Sequence, residues 1–363
     1  MMSLFPSRRI SCLGWLTTLL LMVSLLGCGE GPQAEVPDVP LDLQVLRSDS
    51  LMREAALMLD GMEQPDYQAA FAAHLAPERA FFAELIGLDQ LARQLRLSPA
   101  QADSLLVTEL GRVLADSAML ALLDTVRSAF PYDYDFAGRL SPPLKRLLYH
   151  FPTLELPQFR THVSGYIPAQ EMRQVDQILP TPRYFSLGLH YFMGPEFAYY
   201  SPTLPVYIKR RFDPAYLEVM TMWEIAEGIV SPIPPNRETM LVDEIVRVGI
   251  KQYVLHQMLP RHADSLLLRY DAAQMEWADY YEERIYKELM DKLFSSDFEA
   301  KRDYLSDKPY TTTLSPESAP RLGEYLGWRV VSAYMARHEE VSLAELCEAT
   351  DYRQIFREAK YRP

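Results

Sequence analysis

Apolar residues along the chain fall into three patterns, and each predicts a different kind of segment. The first is continuous. Ile10 to Leu26 is mostly apolar and uncharged, and Arg8 and Arg9 precede it. That run is short for a spanning helix and right for the core of a secretory signal. The second pattern recurs at helical spacing. Leu51, Ala55, Leu57 and Leu59 begin one amphipathic segment; Ala76-Pro77-Glu78 opens another through Phe81, Phe82, Leu85 and Ile86. Ser98-Pro99 reads as an N-cap with proline at the first helical position, ahead of Leu105, Leu106, Leu110, Val113 and Leu114. Asp116-Ser117 interrupts this region before Leu120 to Phe130. Glu238 to Met258 places Leu241, Ile245, Val248, Gln252 and Leu255 on one face, and Pro260 stops it. Asp264 starts a long acidic helical region carrying Trp277, Tyr281, Ile285 and Leu289. Leu322 to Met335 is a further helix whose Gly323 and Gly327, four apart, predict close approach of a neighbour; Leu343 to Phe356 closes the chain. The third pattern lies in a stretch dense in Pro and Tyr. There Gln158 to Tyr166 and Arg183 to Phe192 read as strands bounded by prolines or Gly-Pro. Together these predict an α+β fold, predominantly α-helical, with a few strands between about 155 and 195 and no internal repeat.

Composition narrows the class. A hydrophobic fraction of 48% in 363 residues supports a sizeable core and excludes a disordered chain. The formal net charge is −13, and removing residues 1–27 takes away two bases and no acid. Such a chain is a poor partner for nucleic acid, and an anionic membrane surface does not attract it. The apolar run ends at Leu25-Leu26-Gly27-Cys28, which resembles a bacterial lipobox. Residues 1–27 are then a signal peptide, and Cys28 is the lipidation site, carrying palmitate-like acyl chains that hold the protein to a membrane. Residues 28–46, rich in Pro, Gly and acids, form the tether; residues 47–363 form the body, with a helical part at 47–140 and a second part at 141–363. Cys12 leaves with the signal, so Cys347 is the remaining thiol, with no disulfide or Cys-based zinc site open to it. It reads as a small core residue.

The candidate chemistry is sparse. His256 and His262 stand six apart across Pro260, which is not a ligand spacing. His190 reads as a buried, hydrogen-bonded histidine, with a cleft-lining role as the alternative. Glu218, Glu224 and Glu227 could supply acid and base, but read as a solvated helix face. Trp277, Tyr281 and Ile285 read as a core stripe, while Tyr280 points outward. There is no Gly-rich phosphate loop, G-x-S-x-G elbow or Cys-His pair. No catalytic residue, cofactor site or metal site is expected.

Four stretches carry a resemblance. They are Leu144 to Pro152 with the strand after it; Gly188-Leu189-His190-Tyr191-Phe192-Met193-Gly194-Pro195-Glu196; the Gln274 to Ile285 helix; and Ser315-Pro316-Glu317-Ser318-Ala319-Pro320-Arg321-Leu322-Gly323-Glu324-Tyr325-Leu326-Gly327-Trp328, with Ile355 to Pro363 at the end. Together they resemble the GldB family of gliding-motility-associated lipoproteins from about residue 140 onward. In that family the strand usually ends Gly-Leu-Asp, and His190 stands where the Asp would be. The resemblance implies a zincin-like body over 141–363, related to zinc metallopeptidases. A working zincin carries H-E-x-x-H on the helix after the strands. The corresponding helix, Leu241 to Leu259, offers His256 alone, and His338-Glu339 has Ser342 where a second histidine would stand. The expectation is a non-catalytic envelope lipoprotein, a structural or interaction component of the gliding motility and associated secretion apparatus. Its lipid anchor is expected at the periplasmic side of the outer membrane. The alternative is an envelope hydrolase or a glycan- or peptide-binding lipoprotein, with a cleft near His190 and the Glu218–Glu227 helix.

Overall fold

A computed structural model describes residues 35–164, 177–181, 183–235 and 238–363. The signal peptide and Cys28 lie outside the described residues. Residues Val36–Pro363 form one compact unit. It is mixed α+β and predominantly helical, with a small four-stranded sheet.

Strand β1 (Val45–Leu46) enters the sheet, followed at once by α1 (Ser48–Leu59). Short helical turns then lead to α2 (Pro99–Leu114) and α3 (Ser117–Ala129). Their boundaries have local causes. Ser98 caps α2 in a reciprocal box with Gln101, and Asp116 accepts from the Ala118 amide at 2.9 Å to start α3. Helix α4 (Phe136–His150) is capped by Asp135 and contains Pro142 and Pro143. It survives two prolines because Phe136, Leu140, Leu144 and Leu147 are buried.

Strands β2 (Gln158–His162), β3 (Ile178–Pro180) and β4 (Tyr184–Gly188) complete the sheet in the order β1-β2-β4-β3. β1, β2 and β4 are parallel, and β3 pairs antiparallel with β4 at the edge. Pro180 is tolerated there because edge strands can spare a donor. Both strands predicted from sequence are shorter than expected. β2 ends at His162, and β4 gives way at Gly188 to a 3-10 turn over Leu189–Phe192. Val45 and Leu46, read as the end of the tether, are paired with Phe159 and Arg160.

The second half packs helices on one another. α5 (Leu217–Ile229), α6 (Leu241–Met258), α7 (Ala272–Tyr280) and α8 (Glu282–Met290) are followed by α9 (Leu322–Met335), α10 (Leu343–Glu348) and α11 (Tyr352–Ala359). The region from Asp264 is broken helices rather than one long one, and the last predicted helix is divided by Ala349–Asp351. Helix α6 is not amphipathic in the predicted sense. Val242, Asp243, Val246, Gly249 and Ile250 are buried as well as Leu241, Ile245, Gln252 and Leu255 of the predicted face, with Val248 half-buried, which makes it a central helix. Gly249 and Gly327 bring α6 and α9 into backbone contact: a Cβ on Gly249 would overlap the Gly327 carbonyl, and one on Gly327 would overlap the Ile245 carbonyl. Gly327 is thereby explained, while Gly323, one turn earlier, packs instead against the Leu305 side chain and the Tyr304 carbonyl.

Candidate functional site

Among the described residues, two of the polar groups in and around the core bear on chemistry. The first centres on Trp223 of α5. Lys251 Nζ of α6 sits 3.7 Å from its ring centroid, and the Arg269 guanidinium sits 4.0 Å from it. Glu227, one turn beyond Trp223, accepts from Lys251 Nζ and from Arg247 Nη2, each at 2.6 Å. Arg269 in turn pairs with Glu324 of α9. Arg321 reaches Glu324 at 3.4 Å and Asp307 at 2.7 Å, and Arg211 holds the other Asp307 oxygen at 2.9 Å. Lys251, Arg269, Arg321 and Glu324 are all about 5% exposed.

Backbone strain accompanies this network. Arg269 (φ 58°) and Arg321 (φ 48°) are both left-handed, a conformation that costs a non-glycine residue about 1 kcal/mol or more. Each turn is tied to the other. Arg321 Nη2 donates to the carbonyls of Leu268 (2.9 Å) and Arg269 (3.2 Å), and Tyr270 Oη donates to Pro320 O at 2.6 Å.

Electrostatics follow from the pairing. Burial alone would raise the carboxyl of Glu227, but Arg247 and Lys251 outweigh it and hold it below the usual range. Burial likewise opposes Asp307, and Arg321, Arg211 and Arg269 bring it down to about 2. Burial lowers the Lys251 ammonium, with Glu227 working against that. Carboxylates held below the usual range stay ionised near neutral pH, whereas a general acid or base works best near the ambient pH.

The second group lies at the C-terminal ends of β2 and β4. His162 Nδ1 is 2.7 Å from Ser186 Oγ, and His190 Nε2 is 3.1 Å from Ser164 Oγ. The two imidazole rings are 6.2 Å apart. Both histidines are buried, and His190 Nδ1 has no hydrogen-bond partner among the described residues. Ser164 is exposed and lines two cavities, of about 480 and 400 Å³, between the sheet and the N-terminal helices. The second cavity is walled by aliphatic side chains such as Leu85, Leu95, Leu105 and Leu110. Burial lowers the His162 imidazole to about 4 despite the Asp49 carboxylate nearby. Burial, then repulsion from His162, lowers His190 well below its usual value. The unfolded chain protonates both imidazoles near pH 6.5; in the folded chain His162 does so only near 4, and His190 only well below its usual value. The unfolded state therefore binds more protons in that interval, and stability falls as pH falls through it. Urea midpoints measured from pH 7 to 4 should drop accordingly, and His162→Asn should flatten the drop.

The residues singled out in the sequence are distributed as follows. His190 is buried and hydrogen-bonded, as read. Glu218 is a correction: it is not on a solvated face but 8% exposed and bound by Arg139 Nε and Nη2 at 2.6 and 2.7 Å, because α4 covers that part of α5. Glu227 is exposed, as read, with its carboxylate reaching Arg247 and Lys251, and Glu224 is half-buried. His256 donates from Nδ1 to Gln252 O at 2.7 Å and stacks on Trp328, with ring centroids 4.1 Å apart. His262 instead faces Glu218 and Arg139. Trp277 and Tyr281 pack half-buried against the core with Ile285 fully inside, and Tyr280 is 80% exposed. Cys347 is buried, and burial pushes its thiol up to about 12. Among the described residues, no three His, Cys, Asp or Glu side chains gather as a ligand set. The Ser164–His190 contact was missed because the two residues are far apart in sequence and fit no known spacing.

Comparison with known proteins adds one decisive match. The family model for gliding motility protein GldB covers residues 31–363, nearly the whole chain. The chain belongs to the GldB family. GldB proteins are lipoprotein components of the gliding motility apparatus, so an envelope association and other motility proteins as neighbours follow at that level. No curated protein and no solved structure gives a significant match. Among the described residues, no helix is long and apolar enough to cross a membrane.

Proposed function

We propose that this GldB-family chain is a non-catalytic lipoprotein that presents a folded body to other motility and secretion proteins. The observation that carries the reading is the Trp223 network. The resemblance to zinc metallopeptidases would put the metal-binding helix at α6. There, Lys251 extends its ammonium onto Glu227 and Trp223, so a cation built into the chain meets the carboxylate. The neighbouring acids are likewise bound to arginines. On this reading the part at 141–363 is a zincin-like body whose metal chemistry has been replaced by permanent ion pairs. Cys28 anchors it, and residues 28–46 hold it off the periplasmic face of the outer membrane.

A second reading rests on the Ser164–His190 contact beside a cavity, which suits a hydrolase. Three features weigh against it. Among the described residues His190 Nδ1 lacks an orienting carboxylate, His190 is a weakened base, and Glu218 and Glu227 pair elsewhere. Treating the full-length protein with a fluorophosphonate probe separates the two. No labelling of Ser164, and unchanged gliding by Ser164→Ala, are expected. Cys28→Ala should release the chain from the membrane fraction and abolish gliding. Stoichiometric labelling of Ser164 would overturn the proposal.

A further inference from the structure

A pocket at the C-terminal end of the body has a lining unlike the rest of this acidic protein. Tyr286, Phe294, Phe356 and Tyr361 wall a cavity of about 540 Å³, and Arg357, Lys360 and Arg362 complete its lining. Phe294 is 56% exposed, and Tyr361 meets Tyr286 edge-on with centroids 5.7 Å apart. No carboxylate lines the cavity among the described residues. The nearest acids are engaged elsewhere. Glu282 binds the Tyr361 hydroxyl and Arg329; Glu358 accepts from Gln354 and lies near His338.

The plain structural role for these bases is to complement the negative end of helix α11. That role is already filled. Arg337 Nε donates to the carbonyl of Ala359, the last residue of the helix, at 2.8 Å. Lys360, just beyond, sits at φ 46°, which a lysine adopts only at a cost. Arg357, Lys360 and Arg362 are exposed and make no ion pair with the described residues. Three uncommitted cations around an aromatic wall are complementary to an anionic group attached to an apolar one.

We propose that this pocket docks an acidic segment of a partner protein, one that inserts an aromatic or aliphatic side chain between Phe294 and Tyr361 while its carboxylates meet the three bases. The proposal rests on the reading of the chain as an interaction component and names the chemistry of that partner. A membrane surface is disfavoured as occupant because the protein's net charge of −13 repels anionic lipid, whereas a short peptide meets only the local cations.

The test titrates the full-length protein in neutral detergent with short peptides that place Asp and Glu around one Phe or Leu. The same peptides with Asn and Gln replacing the acids serve as controls. Acidic peptides should bind in a salt-sensitive way, and the amide versions at least about tenfold more weakly. R357E/K360E/R362E should abolish binding. R357Q/K360G/R362Q should weaken it about tenfold while relieving the left-handed lysine, so a folding defect cannot be mistaken for the effect. Equal affinity for acidic and amide peptides would overturn the proposal, as would binding that survives either variant or no binding by any peptide. So would dependence of phosphatidylglycerol vesicle binding, but not peptide binding, on the same bases. Any of these results leaves the fluorophosphonate and Cys28→Ala outcomes untouched, so the two proposals fail separately.

Discussion

Replacing Gly249 with alanine is expected to destabilise the body by about 3 kcal/mol, the upper range for overpacking a rigid contact. The reason is that both sides of the clash are backbone. An added methyl would meet the Gly327 carbonyl and Cα, and α9 cannot yield as a flexible side chain would. Gly327→Ala should cost a similar amount, since its methyl would meet the Ile245 carbonyl. Gly323→Ala is the internal comparison. Its closest contact is the end of the Leu305 side chain, with the Tyr304 carbonyl 2.9 Å away, so the loss should be smaller. Urea unfolding of the three variants ranks them. Equal losses at all three positions would refute the backbone-contact argument.

Glu324→Gln is the second substitution with a large expected effect, a loss of about 3 kcal/mol or more. Glu324 is 5% exposed, pairs with Arg269 and lies 3.4 Å from Arg321 Nε. Its loss strands a buried guanidinium that is already short of partners, for Nε and Nη1 of Arg269 have none among the described residues. Removing the stranded charge as well should recover part of the loss, so R269M/E324Q should be more stable than E324Q alone. A double-mutant cycle on urea midpoints reads the coupling. Additive losses would mean that the pair contributes nothing beyond its separate members.

The regular parts of this fold were open to reading because their signals are local. Ser98 and Asp116 cap helices by contacts within three residues, and the α9 boundaries follow from an uninterrupted apolar pattern. Three elements were hidden for separate reasons. Helix α4 carries Pro142-Pro143, which argues against a helix unless the burial of Leu144 and Leu147 is known. Strand β1 is two residues long and exists because β2 offers it an edge. The turn at Leu189–Phe192 has strand-like composition, and tertiary packing of Tyr191 on Phe212 overrides it. The candidate site was harder still. A glutamate such as Glu218 looks solvated when its helix is viewed alone. Its partner Arg139 comes from α4, and no spacing rule predicts a pairing between helices. The basic lining of the C-terminal pocket was visible as residues but not as a pocket, because Tyr286 and Phe294 come from a distant stretch.

The position of β1 also decides how the body responds to force. Any pull on the chain before Val45 arrives first at a strand of two residues, which can peel from β2 at little cost. The next residue resists. Arg47 is clamped to Asp49 at 2.9 Å, and its guanidinium holds the carbonyls of Phe130 (2.8 Å) and Pro131 (2.6 Å), 83 and 84 residues further along. Tension would therefore pass through Arg47 into the junction between α3 and α4, and through Asp49, which accepts from Thr161, into β2, so that β1 gives as a compliant lead while the helical core and the central strand share the load.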